Sequence, residues 1–276
     1  MAHRKFNPGI VLAYIVLSIG AFSMAIPFIW MLSTAFKTPS QVFVIPPKWI
    51  PSPIITDNFK KLFSLMPFGR YYFNSIFVSV TGTLGRLLLA ILTAYAFSWL
   101  EFPGRDKIFI LYLATMMIPF HVRLVPMFLI MRALRWLDTY YVLIIPGLFS
   151  VYAAFLLRQF FLGIHRDLID AATIDGCNSW TILWRIVVPL STPAIGALGI
   201  FTFLDEWNSF MWPLIMTSSN KMRVIPVGLA FLQDQYYTDY TILMAGAVLA
   251  LVPVIIVFLA FQRYFVRGIV LSGLKE

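Results

Sequence analysis

Four polar or aromatic residues stand side by side in an apolar stretch of the C-terminal half: Asp205, Glu206, Trp207 and Asn208. They begin about 12 residues into a predicted membrane span, which at ~1.5 Å per residue places them about 18 to 22 Å deep in a ~30 Å hydrocarbon core. Carboxylates and an amide can hydrogen-bond sugar hydroxyls, and an indole offers a flat face to a sugar ring. Since ionisable residues inside a membrane are functional candidates by default, we predict that they line a substrate pathway. The alternative is that they pair with a partner subunit and hold a dimer.

Three further side chains in other apolar stretches could act with these acids. His121 and Arg123 could pair with the two carboxylates or line the same pathway, whereas their structural alternatives are an internally satisfied histidine and an arginine that reaches outward. Arg86 has no nearby acid in its own helix. It could neutralise Glu206, face a cavity or meet a phosphate-bearing substrate, and structural pairing is the favoured of these interpretations.

A second polar segment, residues 165–190, carries the signals of two short helices joined by a turn. Asp167 can cap the first helix and Gly176 supplies the break, while Asn178 or Ser179 can cap the second. We call this segment the knuckle, and we predict that it lies outside the bilayer. The residues of the knuckle that we expect to form its contact with a partner protein are small, acidic or turn-forming: Asp170, Ala171, Ala172, Asp175, Gly176 and Pro189.

The composition indicates a membrane protein and narrows the function classes. Of 276 residues, 60% are hydrophobic and 12% are charged, against roughly 45–50% and 25% in soluble domains. The net charge of +9 is scattered between apolar runs, which suits anionic lipid headgroups better than nucleic acid. One cysteine excludes an internal disulfide, and the three histidines lack metal-site spacing. No phosphate-binding GxxxxGK[ST] loop is present, so we expect no ATPase site in this chain.

The apolar runs predict an all-α polytopic membrane protein with one transmembrane domain over residues 1–276. The predicted spans are 10–36, 72–99, 107–131, 140–161, 193–216 and 241–264. Asp138 or Thr139 is expected to cap the fourth span, and Thr192 the fifth. Six spans place both termini on one side, but ten Lys or Arg on each side leave the orientation undecided by charge.

The knuckle resembles the cytoplasmic loop of ABC importer permeases, in which a Glu-Ala-Ala triplet, a later Gly and an Ile-x-Leu-Pro form the coupling helix. Here Asp170 stands in place of the usual Glu, and Val188 in place of the frequent Leu. Further stretches resemble the second permease subunit of the sugar-type binding-protein-dependent family: Asn74-Ser75, Ala94-Tyr95-Ala96-Phe97, Phe102-Pro103-Gly104-Arg105, Met117-Ile118-Pro119, Leu137-Asp138-Thr139, Trp207-Asn208, Trp212-Pro213-Leu214 and Phe261 to Gly268.

This resemblance implies a transport subunit with several partners. They are a second permease, two cytoplasmic ATP-binding cassette subunits that bind ATP and Mg, and an extracytoplasmic substrate-binding protein; this chain itself would hold no cofactor. It also implies a bacterial or archaeal plasma (inner) membrane, cytoplasmic termini and a sugar or oligosaccharide substrate.

Three alternatives stay open from the sequence. The first is import of glycerol 3-phosphate or a related polyol phosphate. The second, from another class, is an integral membrane enzyme with a buried cluster of Asp205, Glu206, His121 and Arg123. The third is secondary transport, which the absence of an internal repeat makes weaker.

Overall fold

The structure is a computed structural model, and it describes residues 8–233 and 238–273, with side chains over 9–233 and 238–262. Within these ranges the chain is helical with no strand, which confirms the predicted all-α class. The α-helices are α1 Pro8–Ala35, α2 Asp57–Leu65, α3 Phe68–Trp99, α4 Arg105–Ala114, α5 Phe120–Ala133, α6 Tyr140–Ile144, α7 Val151–Phe161, α8 Arg166–Ile174, α9 Ser179–Ile182, α10 Val188–Leu190, α11 Thr192–Trp207, α12 Met211–Met216, α13 Ile225–Ala230 and α14 Tyr240–Gly273.

Four helical segments are long and apolar enough to cross a membrane: Gly9–Ala35, Phe68–Trp99, Tyr140–Phe161 and Tyr240–Gln262. Two bent pairs raise the number to as many as six. Arg105–Met117 and Phe120–Ala133 meet at 97°, and Ser179–Leu190 and Thr192–Trp207 meet at 78°. The count of six spans therefore stays a prediction.

The breaks in the predicted third and fifth spans lie at helix ends. Pro119 follows the 3₁₀ turn Thr115–Met117 and stands at the N-terminal boundary of α5, where its lack of an N–H costs no helical hydrogen bond. The predicted fifth span, 193–216, is likewise two helices, because α11 ends at Trp207 and α12 starts at Met211. The third and fifth predicted spans are therefore each made of more than one helix.

The chain divides into two compact units. Unit 1 comprises Met1–Phe68 and Leu229–Val252, and unit 2 comprises Gly69–Gly228 and Pro253–Glu276. The prediction of one domain over 1–276 is not tested by this division and stays a prediction.

Unit 1 contains α1, α2 and the loop between them. None of the most apolar part of α1 is buried inside the structure, whereas Thr34 and Ala35 at its C-terminal end are buried. The loop is held to the end of α1 by Asn58, whose Nδ2 donates to the carbonyls of Ala35 (2.9 Å) and Lys37 (2.8 Å). Lys37 is fully buried, with Nζ 3.5 Å from the centroid of the Trp30 ring, and this burial lowers the pKa of Lys37.

Unit 2 has two apolar clusters, one near each end of α3. Ala94 and Tyr95, near the C-terminus of α3, belong to a cluster with α7 and the knuckle. Val78, near the N-terminus of α3, packs in a second cluster with Val142 and Met216. We call the first the knuckle end of unit 2 and the second its loop end.

Candidate functional site

An ion-pair network around Arg86 joins three segments of unit 2 midway along α3. Arg86 Nε donates to the carbonyl of Gly147 at 2.7 Å, and Nη1 donates to Asp205 Oδ2 at 3.0 Å. Nη2 donates to Glu206 Oε1. The guanidinium thus connects α3 with α11 and with the 3₁₀ turn Ile145–Leu148, which confirms the favoured structural pairing of Arg86 with Glu206.

Two glycines leave room for this network. A Cβ at Gly147 would lie 3.0 Å from Arg86 Nη2 and 3.2 Å from Glu206 Oε1, closer than neighbouring atoms normally approach. A Cβ at Gly82 would lie 3.4 Å from Glu206 Cδ, at the near limit of ordinary contact. The carboxylate therefore occupies space that any side chain at Gly147 would take.

A cavity of about 880 Å³ lies beside the network within unit 2. The two adjacent acids differ in how they meet it: the Asp205 side chain is 74% exposed, whereas that of Glu206 is 11% exposed. Asp205 is free to contact a solute, and Glu206 is mainly a partner for the buried guanidinium. Polar and charged residues of the lining are Arg86, Thr115, Arg123, Ser150, Asp205, Glu206, Asn208 and Ser209.

The predicted pathway residues separate into two groups. Arg86, Arg123, Asp205, Glu206 and Asn208 all line the cavity. Two others lie away from it. Trp207 is 3% exposed and packs its ring on Phe203 (5.8 Å between centroids) and Tyr72 (6.1 Å), and His121 is an exposed residue whose ring contacts Phe120.

Aromatic residues that the sequence interpretation missed supply the flat surfaces expected from Trp207. Phe149 and Tyr152 line the cavity and are 70% and 55% exposed. Phe149 follows the 3₁₀ turn, and Ser150 caps α7 by accepting from the N–H of Ala153 at 3.2 Å. The Pro146-Gly147 pair was the available signal, because it interrupts the predicted fourth span at this point.

The first helix of the knuckle ends as its glycine predicts. Gly176 has φ +80°, its N–H donates to Thr173 O at 3.0 Å, and the Cys177 N–H donates to Ala172 O at 2.9 Å. These two bonds form a Schellman motif, the usual satisfaction of the last carbonyls of a helix. The start differs by a residue or two from the prediction: α8 begins at Arg166, and Asp167 lies in its first turn rather than capping it.

The two alanines of the triplet differ in burial. Ala172 is 7% exposed and belongs to the knuckle-end core, whereas Ala171 is exposed. The expectation that both form one close-approach face is therefore wrong for Ala172, because one face of α8 must pack on its own chain. Asp170 is an exposed acid with Arg166 Nε 3.8 Å from its Oδ2, and Asp175 is exposed at the C-terminus of α8.

The second part of the knuckle confirms one cap and corrects another. Asn178 accepts from the N–H of Thr181 at 2.8 Å and caps α9. A π-helical turn, Leu183–Val187, follows, and Pro189 lies in the short α10. Thr192 is the first residue of α11 rather than its cap, because its hydroxyl donates back to Pro189 O at 2.8 Å.

The loop end is held by buried side chains that bond to backbone. Asn74, fully buried, donates from Nδ2 to the carbonyls of Lys221 (2.9 Å) and Arg223 (2.8 Å), and accepts from Tyr140 Oη at 2.7 Å. Ser75 Oγ accepts from the N–H of Ile225 at 2.8 Å. The loop 217–224 is therefore fixed on the N-terminal end of α3.

Asp138 joins the same loop instead of capping α6. Its Oδ1 accepts from the N–H groups of Ser218 and Ser219, both at 3.0 Å. Burial would raise the pKa of Asp138, but the bonds from Ser219 and Ser218 and the charge of Arg223 outweigh it and hold this pKa below its ordinary value. Thr139 occupies the predicted N-cap position of α6 but makes no side-chain capping bond, because its hydroxyl donates to Trp136 O at 2.6 Å.

Unit 2 combines a cavity lined by charged and aromatic side chains with the helical knuckle, and both features suit a membrane transport subunit. Residues 86–271 match the family model described as the binding-protein-dependent transport system inner membrane component. The chain belongs to this family, which confirms the resemblance seen in the sequence: it is a permease subunit of an ABC importer and carries no ATPase site of its own.

Curated relatives match over nearly the whole chain. The chain is 35% identical over 279 residues to the arabinooligosaccharides transport system permease protein AraQ of Halalkalibacterium halodurans, with 99% of each chain covered. It is 34% identical over 268 residues to the sn-glycerol-3-phosphate transport system permease protein UgpE of Yersinia pestis, with 94% of this chain and 95% of that one covered.

Solved structures show the same fold. A bacterial ABC transporter involved in import of the acidic polysaccharide alginate contains a chain with TM-score 0.82 and 24% identity, covering 96% of this chain and 99% of that one. Family membership confirms the inner-membrane location. The orientation of the termini stays a prediction, since residues 1–7 and 274–276 lie outside the described ranges, as do most side chains of the tail stretch from Phe261 to Gly268.

Proposed function

We propose that this subunit forms one half of the translocation pathway for a neutral sugar or oligosaccharide. The observation that carries the proposal is the cavity beside Asp205, because it combines an exposed hydrogen-bonding carboxylate with the exposed rings of Phe149 and Tyr152. Sugars present hydroxyl groups at their edges and apolar C–H faces, and this lining offers a partner for each. The name of AraQ, an arabinooligosaccharides transport system permease protein, points in the same direction.

The charges of the cavity favour a neutral solute over glycerol 3-phosphate. Its lining has two arginines, Arg86 and Arg123, against two acids, Asp205 and Glu206. Arg86 already donates from all three of its nitrogens, and the two acids balance the two arginines, so the lining has no net positive charge to attract a phosphate. Arg123 is exposed on the lining and makes no salt bridge among the described residues, so it is the arginine that would meet a phosphate. Import of a polyol phosphate, the named substrate of UgpE, is therefore the second candidate.

The partners follow from the family and from the knuckle. A second permease would complete the pathway, and a substrate-binding protein would deliver the solute from outside. Two ATP-binding cassette subunits, with ATP and Mg bound to them, would dock on the knuckle from the cytoplasm, where both termini would also lie. Ala171 and Asp170 are exposed on α8 and are the residues we assign to this contact; Gly176 and Pro189 set its shape.

The pathway is tested by uptake in proteoliposomes that contain the assembled transporter. Asp205→Ala should lower uptake of an arabino-oligosaccharide by about tenfold, the scale expected for one hydrogen bond to a charged group. The complex should stay assembled, because Asp205 is largely exposed. Asp57→Ala, at an exposed acid of unit 1, is the matched control and should transport normally.

Two results would decide against this proposal. Normal uptake by Asp205→Ala would remove the carboxylate from the pathway, and dissociation of the complex would support the dimer-contact alternative. Uptake of glycerol 3-phosphate in preference to the sugar would establish the second candidate.

A further inference from the structure

The loop that joins α1 to α2 in unit 1 exposes many apolar side chains within a short segment, residues 43–54. We call this segment the apolar loop. Ile45 and Ile50 are 92% and 80% exposed, and exposed Lys48 stands between them. Apolar side chains exposed at such density mark a contact with another protein or with a membrane. The exposed large hydrophobic residues of the loop are Phe43, Ile45, Trp49, Ile50 and Ile54.

The backbone that carries these side chains is held in place. The N–H of Ile55, next to the apolar loop, donates to Phe36 O at 2.9 Å, and Asn58 holds the carbonyls at the end of α1. Across the loop, the side-chain amide of Gln41 donates to Ser52 O. The apolar side chains are therefore presented on a defined surface, and ordering them in a contact would cost little backbone freedom.

The apolar loop folds back alongside α1. Trp49 packs edge-on against Trp30, with 5.2 Å between ring centroids, and its carbonyl accepts a hydrogen bond from Ser33 Oγ. Trp30 precedes Ala35, the last residue of α1, by five positions. At ~1.5 Å per residue, Trp49 is therefore about 7 Å inside the end of the helix.

This position corresponds to a definite depth in a bilayer. The 28 residues of α1 span about 42 Å at ~1.5 Å each, which matches the ~40–45 Å of a bilayer with its headgroups. Because the hydrocarbon core takes ~30 Å of this, each headgroup layer is about 5 to 8 Å thick. Trp49 thus lies level with the boundary between headgroups and hydrocarbon.

A second apolar helix of unit 1 supports the same level. Phe43 packs edge-on against Tyr240, with 5.4 Å between ring centroids. Tyr240 is the first residue of α14, and Tyr240–Gln262 is long and apolar enough to cross a membrane. The apolar loop thus contacts the C-terminal end of one span and the N-terminal end of another, as a segment at the bilayer surface would.

The side-chain types of the apolar loop suit a lipid interface better than a protein contact. Tryptophan is enriched at the membrane–water boundary, and lysine buries its stem there while its amine reaches the headgroups. The core of a protein interface is instead depleted of lysine. The most apolar part of α1 is also unburied, so the loop extends an apolar surface that already lies at membrane depth.

We propose that the apolar loop inserts into the leaflet at the C-terminal end of α1 and anchors this end of unit 1 to phospholipid. Ile45, Ile50 and Ile54 enter the upper acyl region, and Lys48 lies beside the lipid phosphates. Because Trp49 packs on Trp30, the anchor fixes the height of α1 in the membrane. The inference needs α1 to cross the membrane, as its length and the family indicate, and it does not rest on the proposed substrate.

The test is nitroxide labelling of the complete transporter in phosphatidylcholine nanodiscs. On a Cys177→Ser background, Ile45→Cys and Ile50→Cys carry the label one at a time. A label in lipid collides often with oxygen, which dissolves in acyl chains, and rarely with a water-soluble nickel chelate. We expect the ratio of oxygen to nickel collision rates at both sites to exceed that of a water-facing control several-fold.

The matched control is Lys60→Cys on α2. Lys60 is exposed and pairs with exposed Asp57 at 3.2 Å, so its label should meet the nickel chelate freely. Infrequent collision with both reagents and an immobilised spectrum at positions 45 and 50 would show that a protein, such as a second permease, covers the loop. That result overturns the proposal, as does a ratio equal to that of the control.

A second set of variants tests the insertion itself through a label at Ile54→Cys. Ile45→Asp with Ile50→Asp should lower the oxygen-to-nickel ratio at position 54, because carboxylates at membrane depth are costly and should lift the loop toward water. Ile45→Leu with Ile50→Leu should leave the ratio unchanged. An equal ratio in the two double variants would overturn the anchor.

Discussion

The two ends of unit 2 are both rigid, but they reach rigidity by different means. At the knuckle end the bonds are local, from the backbone Schellman motif at Gly176 and from the Asn178 side chain that caps α9. At the loop end the bonds join residues far apart in the chain, since the side chains of Asn74 and Asp138 together bond four backbone groups of the loop 217–224. A connection made of helices can satisfy its own polar groups, whereas an irregular loop needs them satisfied from outside.

The knuckle end and the loop end of unit 2 also differ in their balance of charge. The knuckle end, over 100–109, 158 and 162–191, has five Lys or Arg and five acids. Some of these face each other, as Arg166 does with Asp170 (3.8 Å) and Glu101 (4.0 Å). The loop end, over 69–74, 130–141 and 217–228, lacks such balance, with five Lys or Arg and one acid. The two ends of unit 2 thus differ in charge balance as well as in the origin of the hydrogen bonds that hold them.

The largest expected effect lies between the two ends, at Arg86. Arg86→Ala leaves Glu206 buried without its partner, and breaking a buried pair from one side costs about 3–5 kcal/mol. We expect a large fall in the thermal midpoint of the purified transporter. The double variant Arg86→Leu with Glu206→Leu should recover much of the loss. If the single and double variants are equally unstable, the pair does not hold these helices together.

The next largest effects are expected at two adjacent residues of the knuckle, where one substitution should lower stability and the other should lower coupling. Ala172→Trp forces bulk into a packed core and should lower stability by about 1–3 kcal/mol. Ala171→Trp should leave the fold intact, because the residue is exposed, yet abolish substrate-stimulated ATPase activity by holding the partner away. Thermal unfolding and ATPase assays on the same samples distinguish them. Normal coupling in a stable Ala171→Trp transporter would remove α8 from the contact.

A smaller effect is expected from pH at the loop end. The folded-state pKa of Asp138 is lowered, so its stabilisation is present above the ordinary value of about 3.9 and is lost as pH falls through the lowered value. Asp138→Asn should remove this stabilisation at neutral pH and flatten the acid-side dependence of the thermal midpoint. Parallel curves for wild type and variant in that range would show that Asp138 does not order the loop.

The smallest effect on stability is expected from a substitution that strains the backbone. Gly176→Ala meets no atom within 4 Å, so its cost is confined to the positive φ, about 1–2 kcal/mol. Gly147→Ala is the informative comparison. Its backbone suits any residue, but the new Cβ would clash with the ion pair of Arg86 and Glu206. Thermal midpoints should fall further for Gly147→Ala, and the reverse order would mean that the network shifts easily.

The sequence predicted features that depend on a few neighbouring residues. Gly176 and Asn178 gave the turn and cap of the knuckle, and Pro119 gave the break in the third span, because such signals act within one helical turn. The partner of Arg86 was also predictable as one of a few choices, since buried charges must pair.

Features that depend on the packing of distant residues could not be predicted from the sequence. Which face of α11 is buried decides that Asp205 meets the cavity and Trp207 does not, and that face is chosen by Phe203 and Tyr72. Likewise, Asp138 looked like a helix cap, but its acceptors are used by a loop about 80 residues further along the chain. Neither outcome has a local signature.

The corner between α4 and α5 has a consequence for hydration. A 97° turn at Ile118–Pro119 leaves the first amides of α5 without helical partners, about 20 Å along the path from Arg105 at ~1.5 Å per residue. Such groups are tolerated at membrane depth only in a protein interior or against water. Phe120, the first residue of α5, lines the cavity. Dehydrating the cavity would therefore require the corner to straighten or to find new acceptors, so the wetting of the cavity and the bend of this helix should change together.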